Sequence, residues 1–228
     1  GLLTPVICAP VQLDTISENA TAPDWAKTLL QNAPYAGAKL VYFPIVTGPT
    51  KSTLEDNVFI GRTTALLKNL SSCGKESGVA VAFENLSIYW NRPEIARPVL
   101  NAFQSGQVGL CLDPINFYWF GHPRSKVYEI VKEFIPRALH FHVKNVRHPE
   151  DQREAVRTPG WEYGKNSVPA AEGDLDFKQI LGWLHESGYQ GYISIEDDSL
   201  GHYPVEKRAE ILRQDVAYLR AIIRDLNP

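Results

Sequence analysis

Short runs of Val, Ile, Leu, Phe and Tyr alternate along the chain with longer stretches whose apolar residues recur at helical spacing. Six runs predict strands: Leu3–Ala9, Lys39–Ile45, Val79–Glu84, Val108–Asp113, Ala138–Lys144 and Gly191–Glu196. They are apolar almost throughout, as strands covered on both faces of a parallel sheet are. Helices are expected between them. Asp24–Ala36 opens on an acid suited to an N-cap, and Ser125–Phe134 opens on a serine of the same kind. Leu54–Ser77 sets Leu66, Leu67 and Leu70 on one stripe and stops before Gly78, and Pro93–Phe103 has proline near its start. Asp176–Ser187 carries Ile180, Leu181 and Leu184 ahead of Gly188. The last helix, Pro204–Leu226, puts Ile211, Val216, Leu219, Ile222 and Ile223 on one face.

Strand and helix in regular alternation mean an α/β fold with a parallel sheet. Neither GxGxxG nor GxxxxGK[ST] occurs, so a doubly wound sheet with a phosphate loop is disfavoured. The alternative is a (β/α)8 TIM barrel in a single domain spanning 1–228. Six strands fall two short of eight, so the barrel is expected to be incomplete at its amino terminus. An open six-stranded sheet would leave Leu3–Ala9 and Gly191–Glu196 each unpaired on one side. A longer polypeptide, or another chain completing the barrel, is the expected remedy. The absence of Met even at position 1 agrees with a longer polypeptide. One segment breaks the rhythm: His148–Leu175, rich in Pro, Gly and charge, is too long for a simple connection, and such loops are usually functional.

Charge narrows the partners. With 23 basic residues against 26 acidic, the net charge is -3, and no basic block is present to serve nucleic acid or an anionic membrane. No apolar run is long enough to span a bilayer. Cys8, Cys73 and Cys111 are odd in number and form no CxxC pair. That points to a reducing, cytoplasmic setting rather than a disulfide framework, with Cys111 read as packing. Asn19, Asn69 and Asn85 each open a glycosylation triplet, and all three are read as chance matches in the absence of a secretion signal.

Four ligand-type residues stand at the carboxyl ends of predicted strands: Glu84, Asp113, His142 and Glu196. Glu84, Asp113 and His142 follow one another at one strand–helix–strand repeat each, so they return to the same rim, where barrels hold their catalytic groups. A single acid after a strand most often caps the next helix or pairs with a basic neighbour. Four such residues after apolar runs ask for more. Three facing carboxylates repel and resist ionisation unless a cation neutralises them. Oxygen donors with one imidazole and no thiolate favour one divalent ion, Mn²⁺ first, with Mg²⁺, Co²⁺ or Zn²⁺ as alternatives.

Five stretches carry a family resemblance: Val81–Asn85, Gly109–Pro114, His140–Asn145, Ala171–Phe177 and Gly188–Asp197. In order and spacing they resemble the xylose isomerase-like TIM-barrel superfamily, and within it the sugar phosphate isomerase/epimerase proteins. The resemblance covers nearly the whole chain. It implies that Glu84, Asp113, His142 and Glu196 bind one divalent metal, and that Glu84 and Glu196 lie beside the substrate carbons where protons move. By alignment, Leu3–Ala9 corresponds to the family's third strand. Two further departures lie in the motifs. Asn116 replaces a usual His and Asn145 a usual Asp; Asn116 can hydrogen-bond a hydroxyl or carbonyl but cannot shuttle a proton.

Residues flanking these ligands are candidates for holding a substrate. His140 shares a face with His142 by the two-residue strand period, and it is either a supporting partner or a packed interior residue. Lys144 lies on the same face, able to offset substrate charge or to pair with Glu172 or Glu196. Trp119 and His122 after Asp113, and Trp161 in the long loop, are aromatics of the kind that stack on sugar rings.

The expected activity is metal-dependent isomerisation or epimerisation of a small sugar or polyhydroxy carbonyl compound through an enediolate, with Glu84 and Glu196 moving the proton. Dehydration shares that intermediate and is the alternative enzyme reading. A non-catalytic barrel subunit or binding protein is the alternative outside catalysis, and a homo-oligomer is compatible with all of these. The apurinic-site endonuclease branch needs three zinc ions and a basic DNA face, which six histidines and a net charge of -3 do not supply.

Overall fold

The computed structural model describes residues 4–13, 20–46 and 54–227, and the chain divides into two compact units, 1–111 and 112–228. The first unit runs β1 (Val6–Cys8), β2 (Val11–Gln12), α1 (Asp24–Asn32), β3 (Leu40–Phe43), β4 (Ile45–Val46), α2 (Asp56–Ser77), β5 (Ala80–Glu84), α3 (Ser87–Trp90), α4 (Pro93–Asn101) and β6 (Val108–Leu112). The last residue of β6 opens the second unit. Strands β1, β3, β5 and β6 pair side by side and in parallel. β3 is buried at every position, which is why its sequence shows no alternation.

Helix α2 packs through Phe59, Thr63, Leu66, Leu67, Leu70, Ser71 and Gly74. It ends at Gly78, whose φ of 69° is left-handed and whose N–H closes back on the carbonyls of Gly74 and Lys75, the stop expected of a glycine there. Trp90 anchors the unit. Its ring lies 4.2 Å from Phe83 and its indole N–H donates to the Ile45 carbonyl at 2.8 Å, so a large buried aromatic keeps its polar atom satisfied.

The second unit runs α5 (Pro114–Phe120), α6 (Arg124–Phe134), β7 (Ala138–Val143), β8 (Asn145–Val146), α7 (Tyr163–Asn166), β9 (Ser167–Val168), α8 (Phe177–Glu186), β10 (Ile193–Ile195) and α9 (Val205–Leu226). β7 and β10 pair in parallel, with Phe141 opposite Ile193 and His142 opposite Ser194. The long excursion is built rather than loose. β8 and β9 form an antiparallel pair, and Asn145 donates to the carbonyls of Ala170 and Leu175 at 2.9 and 3.0 Å. An aspartate at 145 would have no N–H for either carbonyl, which accounts physically for the amide at that position.

Each predicted strand is present among the described residues, with Leu3 of the first lying outside them, and the six helices fall within a few residues of their expected bounds. The capping residues differ in part. Asp176 does cap α8, accepting from the amides of Lys178 and Gln179. Asp24 and Ser125 instead sit inside the first turn, because Pro23 and Pro123 hold the extended entry into α1 and α6. On α9 the buried stripe is narrower than expected, since Leu219 and Ile222 are buried whereas Val216 and Ile223 are exposed. Asn19 lies outside the described residues, Asn69 bonds its own helix at Ala65, and Asn85 is fully buried. No helix among the described residues is long and apolar enough to cross a membrane.

Asp215, in the middle of α9, is buried, and one of its oxygens accepts the Ala170 amide at 2.9 Å. Burial first, and the nearby Asp197 charge, push its carboxyl up to about 6 against the opposing pull of the Ala170 amide. A carboxyl raised in the folded state contributes stability that is complete below the unfolded value near 3.8 and is lost as pH rises through 6. Asp215→Asn keeps an acceptor for Ala170 and removes that loss. Relative to the parent, the variant is therefore expected to gain on the order of 2 kcal/mol between pH 4 and neutrality. Urea unfolding at both ends of that range checks it, and an equal difference at both would contradict the assignment.

Candidate metal centre

In the second unit three strand ends supply the site. β6 ends at Leu112 and Pro114 starts α5, which leaves Asp113 as the N-cap. One carboxylate oxygen accepts the amides of Ile115 and Asn116 at 2.8 and 3.3 Å. The other lies 3.0 Å from the Lys144 ammonium and 3.9 Å from His142 Nδ1. Asp113 therefore caps the helix with one oxygen and faces Lys144 and His142 with the other, which makes it a candidate ligand as well as a cap.

The two-residue period of β7 puts His140, His142 and, one residue past the strand, Lys144 on one side. Glu196 follows β10, placed by its amide, which bonds the Val143 carbonyl at 3.0 Å. Its Oε2 lies 3.5 Å from His142 Nδ1 and 2.7 Å from Lys144 Nζ. One ligand atom each from Asp113, His142 and Glu196 falls within 4.8 Å of the others. Donors each about 2.0–2.6 Å from a common ion sit roughly 3–4 Å apart, so these separations fit a single divalent cation.

The electrostatics are those of a charged cluster held in shape. Asp113, His142 and Lys144 are buried, and the Glu196 side chain is 44% exposed. Burial alone would lower the Lys144 pKa, but the charges of Asp113 and Glu196 more than reverse this, so the ammonium persists. Burial likewise pushes the Glu196 carboxyl up, while its bond with His142 and the Lys144 charge outweigh it and hold the group at about 2. The His140 ring is pushed down to about 4, first by burial and then by His142, and its Nε2 lies 2.9 Å from the Ser194 hydroxyl. It is a neutral, packed supporter of the strand that carries His142.

In the first unit Glu84 ends β5, is buried, and stands in register with Cys111, two residues ahead of Asp113 in the chain. The turn after it is fixed by Asn85, whose amide donates to Asn91 at 3.1 Å. Ser87 takes a φ of 82° there, a strained conformation for a non-glycine residue.

Of the other candidates, Asn116 is buried in the first turn of α5. Trp119 and His122 are partly exposed at its end, where the His122 ring lies 5.0 Å from that of Phe120, tilted by 34°. Trp161 lies 5.5 Å from the ring of His148. Sequence reasoning missed Asp198, which is 3.7 Å from Lys144 and accepts the Tyr163 hydroxyl at 2.6 Å. Its signal was the two-residue step from Glu196. It also missed Arg157, a buried cation that donates to the carbonyls of Tyr118, His122 and Gln152 and ties the long excursion beneath α5.

That tie depends on Gly121. Its φ is 109°, its carbonyl accepts the Arg157 amide at 2.9 Å, and a Cβ there would overlap the Arg157 carbonyl. Gly121→Ala is expected to cost about 3 kcal/mol or more, read as a fall in the unfolding midpoint. An unchanged midpoint would mean the excursion is not held this way.

A family model described as xylose isomerase-like TIM barrel matches residues 3–222. Inosose dehydratase from Clostridium perfringens is 25% identical over 136 residues, which cover 57% of this chain and 44% of that protein. The chain thus spans less than half the length of this curated relative. Among solved structures, 3-keto-D-glucoside 4-epimerase from E. coli superposes with a TM-score of 0.68 at 17% identity, covering 97% of this chain and 80% of that one. A xylose isomerase-like TIM barrel protein from Mycobacterium smegmatis in complex with magnesium gives 0.63 at 19% identity, covering 84% and 66%. The expected barrel class is borne out.

Proposed function

The chain belongs to the xylose isomerase-like TIM barrel family, and on that premise we propose that it is a divalent-metal-dependent isomerase or epimerase of a small sugar or polyhydroxy carbonyl compound. The observation that carries the proposal is the convergence of Asp113, His142 and Glu196 at the ends of three strands. Glu84 is the proposed fourth ligand, on the strength of its burial and its position at the end of β5. The magnesium complex of a neighbouring barrel supports a hard, oxygen-preferring ion. Mn²⁺ and Mg²⁺ fit this donor set best. When bound, the ion supplies Lewis-acid polarisation of the substrate's carbonyl and adjoining hydroxyl oxygens.

The chain's own groups do the rest. Glu196, held ionised and open to solvent, takes the proton from the carbon beside the carbonyl, and Glu84 returns one at the neighbouring carbon or on the opposite face. Asn116 hydrogen-bonds a substrate hydroxyl without moving a proton. Trp119, His122 and Trp161 flank the substrate with apolar surface. Loss of a β-hydroxyl from the same enediolate would give a dehydratase instead, and the likeness to inosose dehydratase favours keeping that second reading.

Incubation of the protein with Mn²⁺ and ketoses, inososes and keto acids in D₂O tests both. Deuterium entering the carbon beside the carbonyl, with a rearranged product, supports the isomerase; an unsaturated or deoxy-keto product selects the dehydratase. No exchange with any substrate class, in protein shown to hold the ion, would favour a non-catalytic binding role.

A further inference from the structure

Lys144 occupies an unusual position for a substrate-binding residue. Its ammonium lies 3.0 Å from Asp113, 2.7 Å from Glu196 and 3.7 Å from Asp198. The first two are the carboxylates that a divalent ion would need, whereas Asp198 stands to one side, oriented by the Tyr163 hydroxyl. The Lys144 side chain is 7% exposed and Asp113 is fully buried, so their attraction is little screened by water or salt. A buried cation between two carboxylates does electrostatically what a metal ion would do there.

We infer that Lys144 is a displaceable counter-cation: it neutralises Asp113 and Glu196 while no ion is bound, and shifts to Asp198 when a divalent ion takes its place. The inference rests on the metal-binding reading above and adds a competitor inside the site. The two cations cannot share the same carboxylate oxygens without strong repulsion at such distances. The long, flexible lysine stem allows the move, and Asp198 offers an acceptor within reach of the present position. One consequence is that the unloaded site is held in its binding shape rather than blown apart by its own charge. Another is that metal affinity is set below what the carboxylates alone would give. The departing ammonium would also stand at the rim of the site, free to meet a substrate oxygen.

Calorimetric titration of chelator-stripped protein with Mn²⁺ tests this without any activity measurement. Lys144→Met is expected to bind Mn²⁺ at least tenfold more tightly than the parent, since one competing positive charge is gone. Its melting temperature should fall below the parent's in EDTA and recover in saturating Mn²⁺. Lys144→Gln, which keeps a hydrogen-bonding head, should behave in the same direction and guards against a folding defect in the first variant. Asp198→Asn should weaken Mn²⁺ binding about threefold or more in the parent and leave it unchanged in the Lys144→Met background. Equal or weaker affinity in both lysine variants would overturn the inference, because Lys144 would then be organising the ligands rather than competing for them. An equal effect of Asp198→Asn in both backgrounds would also overturn it. Binding by the parent and variants alike at one affinity leaves the metal reading standing and removes only this one. Binding by none removes both.

Discussion

Glu196→Gln is expected to reduce turnover by about 10²–10⁴-fold, the range over which a positioned general base acts, with a modest loss of stability from the weakened pair with buried Lys144. The side chain is 44% exposed and makes its contacts through Oε2, to Lys144 and His142. A glutamine can still accept from Lys144, and the main-chain bond from residue 196 to Val143 is untouched. The substitution removes the negative charge, and with it both a proposed ligand and the proposed proton acceptor. Steady-state rates on the substrate found by the exchange screen, set beside circular dichroism melts, separate the two effects. Turnover within threefold of the parent would assign Glu196 to structure alone.

Asp113→Ala is the substitution expected to do most damage to the fold. It removes the acceptor for the Ile115 and Asn116 amides at the start of α5 and leaves the buried Lys144 without its buried partner. Loss of one member of a buried pair typically costs about 3–5 kcal/mol, and a lost cap adds about 1. Against a total stability of roughly 5–15 kcal/mol, that brings the protein close to unfolding at ordinary temperature. Asp113→Asn keeps an acceptor for the cap and should recover part of the loss while still removing the carboxylate charge. Denaturant midpoints for the two variants check this order. An alanine variant within about 1 kcal/mol of the parent would show that neither the cap nor the pair matters.

Much of this was legible in the chain because the information was local. Apolar runs such as Val79–Glu84 and Val108–Asp113 are long enough to fix a strand, and the strand itself then carries its final polar residue to the rim. That is why the ends of the apolar runs point to Asp113, His142 and Glu196 as neighbours, and their side chains do lie together. Gly78 and Asp176 mark a helix end and a helix start because each meets a backbone requirement with its own chemistry. The proline-led starts of α1 and α6 were misread because an acid or a serine in the first turn looks like a cap, whereas the preceding proline already fixes the entry angle. The pairing of Lys144 with Asp113 was not legible. It depends on how far α5 and α6 carry the chain before β7 returns, and a choice among several nearby carboxylates carries no sequence signature. The same holds for Arg157, whose partners are main-chain carbonyls available to any residue type, and for the β8–β9 pair, too short to show a period.

The central claim is that the residues at these strand ends hold one divalent ion. Chelator-stripped protein equilibrated with Mn²⁺ and then measured for metal content by mass spectrometry tests it most directly. One ion per chain is expected, lost in Asp113→Asn and in His142→Ala provided both variants are folded. Folded parent protein that retains no ion at millimolar Mn²⁺, or an ion retained undiminished by both variants, would contradict it.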